Sequence, residues 1–338
     1  MRQSSYGVLA TALFGAALAA GVASAADPPA KLGPGTHELM IRSAGCEWHY
    51  TLRVPAAYTN STPMQMVLVL HGAGGRGEAY LEKAGWGRKA ESAGFIVVAP
   101  DGQPTQPRLP ANYMTNPRAW NSGQLSPASP RSKIDDIQFF KDLLTEIEQR
   151  LNVDTNRIYV AGHSNGGGMT FRLGRELSDR FAAIAPVASL CWTREPAPAR
   201  PLPTLYMVGV EDPLVPLDGG ESNLPWLKRT TPPVIDTVTN WASTLGCALE
   251  PKTLKNKDGV KIVRYGPGKD AATLTVYYIE GQGHGWPGGE DVLPERMVGP
   301  SVYTVNATDV IWDFFSRYPS QAAGTYAPPA GAPKPPEP

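Results

Sequence analysis

The chain has 338 residues, of which 42% are hydrophobic and 18% charged, with 31 Lys+Arg balanced by 31 Asp+Glu. Zero net charge without a long basic run argues against a nucleic-acid partner, and this much apolar material excludes a disordered chain while allowing one large domain or two small ones. The 35 glycines and 34 prolines follow no three-residue period, which excludes collagen and predicts long, shaped loops.

Arg2, the apolar and small residues 8–22 and then Ala23-Ser24-Ala25 form the three parts of a secretory signal peptide. A membrane anchor is the alternative, disfavoured because the stretch is short and rich in Ala and Gly. Residues 1–25 are therefore read as a leader, residues 26–318 as one catalytic domain and residues 319–338, rich in Pro and Ala, as a disordered tail. The expected mature protein is secreted or periplasmic, without stable membrane insertion.

Residues 37–43 and 47–54 alternate apolar and polar around Ala44-Gly45, the pattern of a hairpin at a sheet edge. The runs 66–70 and 95–99 are continuously apolar, as buried parallel strands are, with a helix expected over 77–92 between them. Residues 103–131 form a long connection rich in Pro, Asn and Ser; loops of this length are usually functional. Ile134, Ile137, Phe140, Leu144, Ile147 and Leu151 then mark an amphipathic helix with Ser132 as its expected N-cap. Strands at 158–161, 184–187, 205–210 and 274–279 alternate with helices from 169, 236 and 306. This alternation predicts a mostly parallel sheet with helices on both faces, whose ligands gather at the carboxyl ends of the strands.

Gly162-His163-Ser164-Asn165-Gly166 fits G-x-S-x-G between a strand and a helix, where the glycines permit a strained turn that presents a serine hydroxyl. Such a serine needs a base, and chain order in this architecture is Ser, then Asp or Glu, then His. Of five histidines only His284 follows Ser164. His163 is its neighbour, but adjacent residues on a tight turn do not face each other, and it is expected to pack. Asp212 leaves a strand end at the right place to orient His284; Glu211 and Asp218 are the alternatives, while Asp179 reads as a solvated helix residue. An oxyanion hole needs two backbone N–H groups: one from Asn165, the other from the loop His71-Gly72-Ala73-Gly74-Gly75, assigned to Ala73 with Gly74 second. Trp120, Trp192, Trp226 and Trp286 stand at strand-end loops; Trp286 and Trp120 are the expected substrate contacts. Cys46, Cys191 and Cys247 lack metal-ligand spacing, so neither metal nor cofactor is expected. Their places in the predicted sheet are too far apart for an internal disulfide.

With these segments in order, the sequence resembles α/β-hydrolase serine esterases, and more narrowly the secreted polyhydroxybutyrate depolymerase and feruloyl esterase group. The resemblance is carried by residues 70–75, Trp120-Asn121, Ile134-Asp135-Asp136, and residues 162–168, 177–186, 209–216 and 283–288, across about residues 37–318. It implies an α/β-hydrolase fold, a triad of Ser164, Asp212 and His284, Trp286 near the substrate, and an ester of a hydroxyalkanoate oligomer, a hydroxycinnamate or an acyl sugar as substrate. Two departures stand out. Family members often carry a second cysteine after the one matching Cys247, where this chain has Tyr265-Gly266-Pro267-Gly268. Many extracellular polyester depolymerases also carry a polymer-binding domain, where a short tail follows here, which favours soluble esters. An acyltransferase or peptidase on the same scaffold, and a non-catalytic binding protein of the same fold, are the competing readings.

Overall fold

A computed structural model describes residues 29–224, 227–290 and 293–319. The expected leader, nearly all of the tail and Trp226 lie outside the described residues. The chain runs through β1 (Gly35–Ser43), β2 (Cys46–Val54), β3 (Met64–Leu70), α1 (Gly77–Lys83), α2 (Trp86–Ala93), β4 (Ile96–Pro100), the short β5 (Gln103–Pro104) and β6 (Arg118–Ala119), and α3 (Asp136–Arg150). It continues through β7 (Val153–His163), α4 (Asn165–Glu176), β8 (Ala183–Val187), β9 (Thr204–Gly209), β10 (Gly220–Leu224), β11 (Leu227–Thr231) and α5 (Val234–Thr244). It closes with β12 (Lys252–Lys257), β13 (Val260–Tyr265), β14 (Leu274–Ile279), α6 (Glu295–Val298) and α7 (Ala307–Phe315).

Ten strands form one sheet in the order β1-β2-β4-β3-β7-β8-β9-β14-β13-β12. The central strands from β4 to β14 pair in parallel, and an antiparallel hairpin closes each edge. Side chains alternate across a strand, so the apolar run of β3 feeds two cores. Met66, Leu68 and Leu70 join the core under α3, α4 and α5, whereas Val67 and Val69 join the core under α1, α2 and α7. The expected doubly covered, mostly parallel sheet is what the chain builds.

Four local expectations are corrected. The helix over 77–92 is two helices, because Gly85 takes a left-handed φ of 76° and ends the first. Ser132 lies in a 3₁₀ turn over Pro130–Lys133; the N-cap of α3 is Asp135, whose Oδ1 accepts from the Gln138 N–H at 3.0 Å. Helix α4 begins at Asn165, directly after Ser164, rather than at Met169; its consecutive glycines have poor helix propensity but allow close packing against the strands. The edge hairpin β12–β13 was not anticipated, because Lys252–Lys257 has almost no buried face. Its signal was the Asp258-Gly259 turn, with φ of 57° and 70°, the pairing that two-residue hairpins favour.

Cys46, Cys191 and Cys247 are free thiols. Cys247 lies against Gly266 and Gly268, whose added Cβ would stand 2.8 and 2.9 Å from its Sγ, so the second-cysteine departure falls directly beside the remaining thiol. Among the described residues, no helix is long and apolar enough to cross a membrane.

Candidate active site

The turn after β7 is shaped by close backbone approach. A Cβ on Gly162 would collide with the carbonyl of Gly166, and one on Gly166 with the carbonyls of Leu70 and His71. Only glycine fits at either end of this turn. Between them Ser164 adopts φ 54° and ψ −119°, a strained conformation for a residue with a side chain. It is fixed by the Ser164 N–H donating to Val187 O at 2.9 Å.

That strain brings three distant side chains into one hydrogen-bonded chain. Ser164 Oγ lies 2.7 Å from His284 Nε2, and His284 Nδ1 lies 2.8 Å from Asp212 Oδ2. The other carboxylate oxygen of Asp212 accepts from the Leu214 and Val215 N–H groups at 2.8 and 2.9 Å. A carboxylate so held only accepts, so His284 Nδ1 carries the proton and Nε2 presents its lone pair to the Ser164 hydroxyl. Asp212 and His284 are both buried. The loop of His284 is clamped by its own N–H to Val298 O at 2.5 Å and by the Gly283 N–H to Pro300 O at 2.6 Å.

His163 completes this clamp. Its Nε2 donates to the His284 carbonyl at 2.6 Å, and its ring lies among Tyr80, Trp286 and His284. Burial, helped by the neighbouring His284, lowers its pKa to about 4, so it is a neutral packing residue that also holds a backbone. His71 is neutral for the same reason, burial pushing its pKa down. Its Nε2 accepts from the Gly102 N–H at 2.9 Å, which leaves the Nδ1 proton for Gly72 O at 2.7 Å.

The loop after β3 lies against the serine: a Cβ on Gly72 would be 3.2 Å from that of Ser164. The next N–H groups are committed, Gly74 to Arg118 O at 2.7 Å and Gly75 to Gly72 O at 3.0 Å. Of the two N–H groups expected to serve here, that of Gly74 is thus already engaged. Asn165 opens α4, where first-turn N–H groups have no partner inside the helix. Its side chain is pinned elsewhere, accepting from Trp120 N at 2.6 Å and donating to Trp120 O at 3.0 Å and Ser122 Oγ at 3.2 Å.

Two expected substrate contacts are placed differently. Trp120 is fully buried, donates its indole N–H to His71 O at 2.9 Å and packs between Trp48 and Phe140. Trp286 is 5% exposed and bonds Thr308 Oγ1 at 3.0 Å, behind His163. Both are structural supports of the loops they sit on. Of the described tryptophans expected at strand-end loops, Trp192 is the half-open one; its Cδ1 would lie 3.2 Å from a Cβ on Gly168, one helical turn from Ser164. Sequence reasoning missed Arg131, fully buried with both guanidinium NH groups on Asp136 at 2.8 and 2.5 Å, and Ser122; no spacing rule singles out either. No group of three or more metal-ligating side chains occurs among the described residues.

A family model described as "Putative esterase" matches residues 41–274, and the chain belongs to that esterase family. It is 29% identical to feruloyl esterase B of Piromyces equi over 239 residues, covering 69% of this chain and 42% of that protein. Over 177 residues it is 25% identical to feruloyl esterase C of Emericella nidulans, covering 51% of this chain and 57% of that one. The chain thus spans about half the length of these relatives. Among solved structures it is similar to an acetyl xylan esterase from Aspergillus awamori, with a TM-score of 0.56, 14% identity and coverage of 83% of this chain and 99% of that one. The fold is that of the α/β-hydrolase esterases.

Proposed function

We propose that the chain is a secreted serine esterase that hydrolyses carboxylic esters through an acyl-enzyme. The observation that carries this reading is the continuous chain from Ser164 Oγ through His284 to Asp212. Ser164 Oγ attacks the ester carbonyl carbon while His284 Nε2 takes its proton. The carbonyl oxygen becomes an oxyanion facing the N–H groups of Ala73 and Asn165, the latter at a helix N-terminus that favours negative charge. Collapse breaks the bond to the alcohol, which leaves with the proton held on His284. Water, deprotonated by the same nitrogen, then releases the acid and restores Ser164. Asp212 stays ionised, holding the tautomer and stabilising the imidazolium. Hydroxyalkanoate oligomers, hydroxycinnamoyl esters and acetyl or other acyl sugars are the candidate substrates, the last two supported by the names of the relatives. Secretion is supported by the leader pattern in residues 1–25.

Fluorophosphonate labelling followed by a hydrolysis panel of these esters tests the reading. Labelling at Ser164 with acid release from esters, and none from peptide amides, is the expected result. An unlabelled Ser164 would favour a binding protein, and amide cleavage a peptidase.

A further inference from the structure

The ribbon β10–β11 is inserted between the Asp212 loop and α5, and it lies with the other loops at the carboxyl ends of the strands. From it Arg229 reaches across to Trp192, its guanidinium carbon 4.5 Å from the ring centroid. Trp192 in turn covers Gly168 and Gly123, beside Ser122 and the first turn of α4. Arg229 is half-buried, and its Nε is closed to solvent with no hydrogen-bond partner. Among the described residues no carboxylate lies within ion-pair distance of it, and unlike Arg175, whose guanidinium over Trp241 bonds Thr244 Oγ1 and Pro196 O, it makes no side-chain hydrogen bond to a described residue. Burial alone pushes its pKa down. The neighbouring Thr193 Oγ1 is also buried without a partner, and its Cγ2 lies 2.7 Å from the Cβ position of Gly123.

A desolvated guanidinium without an anion is costly, and one held over an indole face by cation–π attraction can still offer N–H groups to a carboxylate. We propose that Trp192 and Arg229, with the Thr193 hydroxyl, form a subsite beside Ser164 that selects esters bearing a carboxylate. The proposal rests on the serine-esterase reading and narrows it. A hydroxy-acid oligomer carries such a carboxylate at its end, whereas a feruloyl or acetyl sugar ester does not.

Two matched substrate pairs read the subsite from either side of the scissile bond. p-Nitrophenyl hemisuccinate against p-nitrophenyl butyrate places the carboxylate on the acyl side; 3-butyryloxybutyrate against its amide places it on the alcohol side. In Arg229→Gln the ratio of kcat/KM, charged over neutral, should fall about 10- to 100-fold for at least one pair, the loss expected when a hydrogen-bonded charge partner is removed. Arg229→Lys should recover part of it. Because a general loss of fold lowers both members of a pair, the ratio isolates recognition. Ratios within twofold of wild type for both pairs would overturn the subsite. If wild type turns over none of the four compounds, the esterase reading fails separately. Binding of hemisuccinate and butyrate esters to Ser164→Ala, with and without Arg229→Gln, then decides the subsite: selective weakening of the charged ester supports it, and equal affinities reject it.

Discussion

The turn 162–168 and the connection 103–133 meet next to Ser164, where Trp120 and Ser122 hold the Asn165 side chain, yet they are held in opposite ways. The turn is fixed by backbone crowding: glycines at 162 and 166 allow contacts that no side chain could share, and Ser164 is strained between them. The connection has little regular structure: the two-residue strands β5 and β6, a backbone bridge between Asn112 and Asn116, and the 3₁₀ turn at its end. It is held by side chains: Asn116 gathers Thr105, Gln106, Leu109 and Pro110, and buried Arg131 binds Asp136 and the carbonyls of Gln103 and Ala119. Chemistry placed by backbone shape is compact in sequence. Support supplied by side chains is spread over thirty residues and depends on partners that meet only in the folded chain.

The largest effect should come from the turn. Ser164→Ala should cost about 10⁴ to 10⁶ in kcat, and His284→Ala about as much, with the double mutant hardly worse because the two act as a unit. Single-turnover assays on the three variants check this, and multiplicative losses in the double mutant would break the assignment. The stability of Ser164→Ala should not fall, since the strain at this residue serves the site rather than the fold.

The connection should fail through stability instead. Arg131→Met leaves Asp136 buried and unpaired, which costs about 3–5 kcal/mol. The pair Arg131→Met/Asp136→Leu should be less destabilised than Arg131→Met alone, because no bare charge remains. Urea denaturation reads both. A loss below about 1 kcal/mol for the single variant would show that the pair does not hold the connection.

This contrast also explains what the sequence disclosed. Ser164, His284 and Asp212 were legible because each sits at the end of an apolar run, and strand ends in an α/β sheet are where a chain presents chemistry. That the Gly74 N–H is engaged with Arg118 O was not legible, because it is a contact between segments 44 residues apart. Trp120 and Trp286 read as substrate contacts because an aromatic at a strand-end loop looks the same in sequence whether its ring faces a ligand or a core. Strand β12 escaped because hydrophobic periodicity is silent where neither face is deeply buried, and without it the short apolar alternation of β13, with Val260, Val263 and Tyr265 inward, had no partner to mark it as a hairpin.

The His163 clamp joins the two regions to pH. An unfolded histidine takes its proton near pH 6.5, whereas folded His163 holds off protonation until about pH 4. Its contribution to stability is therefore complete above about pH 6.5, is lost as pH falls toward 4, and changes no further below that. The span corresponds to about 3 kcal/mol. His71, also lowered by burial, acts in the same direction. The urea midpoint of His163→Gln should fall less steeply than that of wild type between pH 6.5 and 4, while the glutamine amide can still donate to the His284 carbonyl. Parallel profiles would show that His163 is not protonated on unfolding in this window.

The smallest effect separates two adjacent carboxylates where the connection enters α3. Asp136 answers a buried guanidinium, whereas Asp135 is a cap: its Oδ1 accepts from the Gln138 N–H, one of the four donors a helix start leaves open. Asp135→Ala removes that acceptor and should cost about 1 kcal/mol. Asp135→Asn keeps an oxygen in place and should cost only a few tenths of that. Neither should alter kcat, because Asp135 touches none of the residues around Ser164. Asp136→Asn, one position on, should cost several times more, since it weakens a buried charge pair. Equal losses at the two positions would mean that the cap and the ion pair form a single support, and that the connection is tied to α3 through both residues together.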